Sequence, residues 1–145
     1  MDKGLAVLLT AGVGVLVALQ APINSGLSKA TGGLPAALVS FLVGTAILLA
    51  IVLVVGKAEA LGGVGEVRWY YLLGGALGAA YVSTVLLTVN EIGAGGVAAA
   101  TITGQLTASV VIDRLGVLGL EETALSPERV LGVALLLAGT FLIVR

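Results

Sequence analysis

The sequence predicts an all-α integral membrane protein with five transmembrane helices. Three observations carry this prediction. Of the 145 residues, 59% are hydrophobic and only 10% are charged, and the mean hydropathy is +1.18. A soluble domain of this size must cover its surface with polar side chains. The apolar residues also fall in continuous runs of about 20, the length that crosses a hydrocarbon core roughly 30 Å thick. Finally, the runs do not alternate apolar with polar residues as barrel strands do. Helices and closed barrels are the two structures that satisfy every backbone group in lipid, so helices are expected.

The first segment covers residues 4–27. It opens like a signal peptide, with Lys3 ahead of an apolar run, but the run is too long. Gln20, Pro22 and Asn24 also stand where a cleavage site would fall, so a retained helix is expected. Thr31-Gly32-Gly33 reads as a short turn. The second segment, residues 34–55, carries Pro35 in its first turn, where the missing N–H is harmless. Residues 57–68 read as a polar, glycine-containing loop. The third segment, residues 69–89, opens on Trp69-Tyr70-Tyr71, an aromatic cluster suited to the membrane interface. Asn90-Glu91-Ile92-Gly93 reads as a tight turn into the fourth segment, residues 94–112. A loop follows over residues 118–125. Ser126-Pro127-Glu128 then supplies a capping hydroxyl, a proline at the first helical position and a carboxylate near the positive helix end. The fifth segment is residues 127–144, and residues 1–145 form one transmembrane domain.

Five crossings put the termini on opposite sides. Lys3, Lys57, Arg68, Arg114 and Arg129 then share one side, and Lys29 and Arg145 the other. The bias favours a cytoplasmic N-terminus.

The chain has no cysteine and no histidine. Disulfides, thiol nucleophiles, Cys/His metal sites, a histidine proton relay and a Ser-His-Asp triad are therefore excluded. A net charge of −1 with no basic cluster gives no footprint for nucleic acid. Gly93-Ala94-Gly95-Gly96 lacks the lysine and the preceding strand of a phosphate loop. No cofactor, metal or enzymatic activity is expected.

The informative residues are polar groups within apolar segments. Gln20 and Asn24 are four apart in the first segment and share a face. Pro22 between them removes a backbone hydrogen bond and is expected to kink the helix. The amides either line a cavity or hydrogen-bond neighbouring helices. In the fourth segment Thr101, Gln105, Ser109 and Asp113 recur at steps of four, with Thr103 and Thr107 as a second pair. This stripe likewise fits a cavity wall or a helix contact. Gly74, Gly78, Tyr81, Thr84 and Thr88 share roughly one face of the third segment. The glycines read as packing positions, and the Tyr81 hydroxyl needs an internal partner. No charged residue stands near the middle of a span. Glu91 and Asp113 come closest, and they are the candidates for coupling transport to protons.

Three motifs in order resemble one family. Ala18-Leu19-Gln20-Ala21-Pro22-Ile23-Asn24 is similar to the first-helix motif of the YdcZ-like small inner-membrane exporters. Val39-Ser40-Phe41-Leu42-Val43-Gly44-Thr45 resembles their second-helix motif. Thr103-Gly104-Gln105-Leu106, with Ser109, Asp113, Leu115, Gly116 and Gly119, resembles their fourth, and Gly132 and Gly139 in a leucine-rich run fit their fifth. The resemblance covers nearly the whole chain. It implies a five-helix half of a ten-helix inverted-repeat transporter of the drug/metabolite transporter superfamily. It also implies an antiparallel homodimer, or pairing with an oppositely oriented paralogue. The related four-helix multidrug transporters carry a glutamate in their first helix, and this chain has none there. The link after the third segment also departs from the family pattern, which has a proline near Asn90-Glu91.

On this reading the chain is a small-molecule transporter of the inner membrane, working by alternating access. Gln20, Asn24 and Gln105 bind the solute, Pro22 shapes the first helix, and Tyr81, Thr101 and Ser109 line the wall. Ten helices enclose a polar cavity more readily than five, and inverted repeats with a midplane site are a common transporter plan. The alternatives are a passive channel lined by threonines and amides and a non-transporting scaffold subunit that uses the Gly74/Gly78 face.

Overall fold

The structure is a computed structural model that describes residues 2–117 and 120–145; Gly119 of the fourth-helix motif and Leu118 at the start of the expected loop lie outside them. Four α-helices are present: α1 (Lys3–Thr31), α2 (Gly33–Val54), α3 (Leu73–Leu115) and α4 (Pro127–Val144). A 3-10 helix, Ala58–Glu66, and a short 3-10 turn, Trp69–Leu72, lie between α2 and α3. Four helical segments, the third of them Trp69–Leu115, are long and apolar enough to cross a membrane.

Three sequence expectations change. The turn at Thr31-Gly32-Gly33 shrinks to Gly32 (φ 88°), because α1 continues through Thr31 and α2 starts at Gly33. The polar loop over residues 57–68 is largely a 3-10 helix. The expected turn at residues 90–93 narrows to its last residue: the third and fourth segments meet across a kink at Gly93, whose backbone is non-helical (φ 71°, ψ 168°), within the 43-residue run Leu73–Leu115. A straight helix of that length would run roughly 65 Å, about twice the hydrocarbon thickness. One glycine makes the break because this backbone region is open essentially to glycine alone.

The chain divides into two compact units, Met1–Thr88 and Val89–Arg145. In the first, α1 packs on α2. Ala36 and Ala37 of α2 form a buried cluster with Val82 and Leu86 of α3, and Leu27 and Tyr81 pack against it. Phe41 lies over Gly78, where an added Cβ would come within 3.5 Å of the ring. In the second unit, residues 94–115 of α3 pack on α4. Gly96 is buried there, and a Cβ on it would stand 3.1 Å from Ile92 and 3.5 Å from Val144.

The large aliphatic side chains mostly point outward: Leu8 and Leu16 of α1, Leu48 of α2, and Leu131 and Leu135 of α4 are all exposed. The interior is made mostly of alanine, glycine, valine and a few polar residues, with Leu86 as its one large aliphatic side chain among the described residues. This is the inverse of a soluble core, and it suits helices that pack through small residues and meet lipid with large ones.

Candidate functional site

Each unit presents its own set of polar groups. In the first, α1 runs through Pro22 and buries Ala21, Asn24 and Ser25. These three recur at helical spacing, so one stripe of α1 faces inward. Pro22 has no N–H, so the Ala18 carbonyl loses its i+4 donor next to this stripe. Gln20, one turn before Asn24, is exposed.

Asn24 is only 6% exposed, yet its amide makes no hydrogen bond among the described residues. None of those residues has a fully enclosed side-chain N or O without a partner. The remaining accessible sliver of Asn24 therefore includes its amide atoms, which reach open space. Tyr81 is half-buried and packs against the Ala36–Leu86 cluster. Thr84 and Thr88 donate to carbonyls of their own helix, at Ala80 (2.9 Å) and Thr84 (3.0 Å), so their hydroxyls are already satisfied.

The second unit sorts its polar groups onto opposite faces. Thr103 is buried and its hydroxyl lies 2.6 Å from that of Thr140 on α4. The Thr140 hydroxyl donates to the Ala99 carbonyl (3.0 Å), and that of Thr107 to the Thr103 carbonyl (2.7 Å). The Thr103 and Thr140 hydroxyls thus stitch α3 to α4, while Thr107 bonds within its own helix. Thr101, Gln105 and Ser109 lie elsewhere: Gln105 is two residues from Thr103, about 200° around the helix. Gln105 and Ser109 are exposed and Thr101 is half-buried. The Gln105 amide makes no hydrogen bond among the described residues. An open groove of about 330 Å³ between α3 and α4 is lined by Gly95, Ala98, Ala99, Leu136 and Gly139 among others, with Thr140 as its polar group. With that hydroxyl engaged, the groove offers little to a polar solute.

The two coupling candidates also differ. Arg129 Nη1 donates to Asp113 Oδ2 at 3.3 Å, both side chains being partly exposed. Beside them Arg114 pairs with Glu122, and the Thr123 N–H donates to the Asp113 carbonyl (2.8 Å), which folds the following link back onto the end of α3. Glu91 is exposed and forms no ion pair among the described residues. No group of three or more carboxylates among them is placed to hold a metal ion.

The sequence reading missed Thr140 and Arg129. Thr140 carried a signal, as the lone hydroxyl in residues 130–144. Arg129 did not, because nothing local links it to Asp113, 16 positions earlier.

Residues 5–142 match the family described as "Putative inner membrane exporter, YdcZ". The chain belongs to the YdcZ family. The match spans both compact units and includes Gln20, Asn24, Tyr81 and Gln105. No curated protein and no solved structure matches it. As a YdcZ-family protein it is a multi-pass protein of the inner membrane, and the family is one of exporters, which is not an enzyme class.

Proposed function

We propose that the chain exports small, uncharged polar solutes, working by alternating access as an antiparallel dimer. Each copy crosses the membrane five times, with the α3 run crossing once on either side of Gly93. Gln20, Asn24 and Gln105 hydrogen-bond the solute, and Tyr81, Thr101 and Ser109 line its path. The carrying observation is the Asn24 amide, set in an inward stripe of an apolar helix and left open. A membrane helix that used this amide only for packing would bond it to a neighbour.

Gln105 supports the same reading. An amide with no partner, facing lipid at membrane depth, costs several kcal/mol by roughly the scale for unpaired polar groups. Water in a cavity, or a second copy, removes that cost. The solute is uncharged because the site groups are amides and hydroxyls and Asp113 is paired with Arg129. A bare ion at mid-membrane would need a counter-charge. The family's description as exporters supplies the direction.

The test is flux in proteoliposomes against a panel of uncharged polyols and amides and a matched charged panel. Asn24→Leu keeps the branched side-chain outline and removes the amide. It should lower transport of a responding solute by about tenfold or more, since one hydrogen bond near 1.4 kcal/mol is a factor of ten. Unchanged flux in that variant would refute the site. Flux far above about 10³ molecules per second would point to a channel.

A further inference from the structure

The 3-10 helix Ala58–Glu66 has no buried residue. A 3-10 helix has three residues per turn, so positions i and i+3 stack in rows along its length. Its sequence, AEALGGVGE, falls into three rows. Ala58, Leu61 and Val64 form one. Glu59, Gly62 and Gly65 form the second, and Ala60, Gly63 and Glu66 the third. One row is wholly apolar, and the other two hold the glycines and both acids. Leu61 is 53% exposed and Val64 49%, so the apolar row is left largely open among the described residues.

We propose that this row docks into the surface of the bilayer in which the protein sits, making Ala58–Glu66 an interfacial helix instead of an aqueous loop. Four observations identify lipid as the occupant. The segment joins the end of α2 to the start of the Trp69–Leu115 run, and both are apolar enough to cross the membrane, so each of its ends is tied to the bilayer. Nine residues at about 2 Å each give it a length near 18 Å, too short to carry it far from that surface. The helix is also followed, across two extended residues, by Trp69 and Tyr71, both exposed, in the aromatic cluster that marks the interface. Finally, Lys57 and Arg68 bracket the helix, where they reach headgroup phosphates while Glu59 and Glu66 stay in water. Arg68 Nη1 already donates to the Tyr70 hydroxyl at 3.1 Å, tying the distal cation to the aromatic cluster.

Nine residues is long for a 3-10 helix, and three of them are glycine, which favours the unfolded chain. Burial of Leu61 and Val64 in the interface supplies the stabilisation that the segment lacks in water. The inference is independent of the transport reading, since it concerns the α2–α3 link alone.

The chain has no native cysteine, so single-cysteine labelling of the full-length protein is clean. Ala60→Cys, Leu61→Cys, Gly63→Cys and Val64→Cys are spin-labelled in vesicles of phosphatidylcholine and phosphatidylglycerol. Collisions with oxygen are compared with collisions with a water-soluble nickel chelate. Oxygen should dominate at positions 61 and 64 and nickel at 60 and 63. Nickel access at all four positions would overturn the proposal. Protection from both reagents at 61 and 64 would also overturn it, by showing that protein covers the row. Trp69 is the chain's one tryptophan and gives a readout that needs no labelled variant. Its emission should be quenched by lipids brominated high on the acyl chain and shift to the red in Leu61→Asp and Val64→Asp; no quenching in the unaltered protein would count equally against docking.

Discussion

The half of α3 that follows Gly93 carries two polar faces built from similar residues, and they meet different fates. On one face the Thr103 hydroxyl meets that of Thr140, which donates to the Ala99 carbonyl across the helix pair, and Thr107 donates to the Thr103 carbonyl of its own helix. On the other lie Thr101, Gln105 and Ser109, and Gln105 has no partner among the described residues. The contrast follows from functional-group counting. A threonine hydroxyl has one proton to place, and a helix supplies an acceptor one turn back, as it also does for Thr84 and Thr88. A primary amide has two N–H donors and a carbonyl, more than its own helix can absorb. Threonines in a membrane helix are therefore weak evidence of a site, whereas glutamine and asparagine require something outside the helix.

Substituting each face in turn sharpens this contrast. Gln105→Leu should cost the largest amount of function, about tenfold or more in flux, while leaving thermal stability in detergent unchanged or slightly raised. A full loss of folding in that variant would mean that Gln105 is a packing residue, and the two faces would then be alike. Gly93→Ala comes next. Gly93 has φ 71° and ψ 168° with open space around a would-be Cβ, so the penalty is backbone strain alone, on the order of 1–3 kcal/mol. It should appear as a lowered melting temperature. An unchanged melting temperature would mean that the two halves of α3 do not need this break. Thr103→Val removes the buried hydroxyl with little change of shape. It should cost about 0.6 kcal/mol, the average for such a bond between membrane helices, with flux retained.

The helical class, the start of α4 and the polar stripes were legible because each rests on local chemistry. Ser126 caps α4 by accepting from the Arg129 N–H at 3.4 Å, as Ser126-Pro127-Glu128 predicts. The break at residues 90–93 was legible in its place but not in its width: Asn, Glu and Gly together suggest a four-residue turn, while the structure places the non-helical backbone on Gly93. The 3-10 segment was misread because its period of three is invisible beside three glycines unless the helix type is known. The faces of α3 were half legible. Steps of four grouped Thr101, Gln105 and Ser109 correctly, but the sequence does not state which stripe α4 covers. Thr140 decides that, and it lies 37 residues from Thr103.

The smallest expected effect concerns the carboxylates. Asp113 belongs by spacing to the Gln105 stripe, but Arg129 occupies it at 3.3 Å, with both side chains around 40% exposed. An exposed pair of this kind contributes about 0–1 kcal/mol, so Asp113→Asn should lower stability by less than about 1 kcal/mol. A coupling carboxylate must be free to meet water or solute at each turnover, and the Arg129 guanidinium already engages Asp113. Flux in Asp113→Asn should therefore keep the pH dependence of the unaltered protein. Glu91 is exposed and forms no ion pair among the described residues, so it is the more accessible of the two. If flux proves pH-dependent, Glu91→Gln should flatten the profile and Asp113→Asn should not. The reverse outcome would move Asp113 from a structural ion pair at the end of α3 into the transport machinery, and would extend the functional stripe from Thr101 to that end.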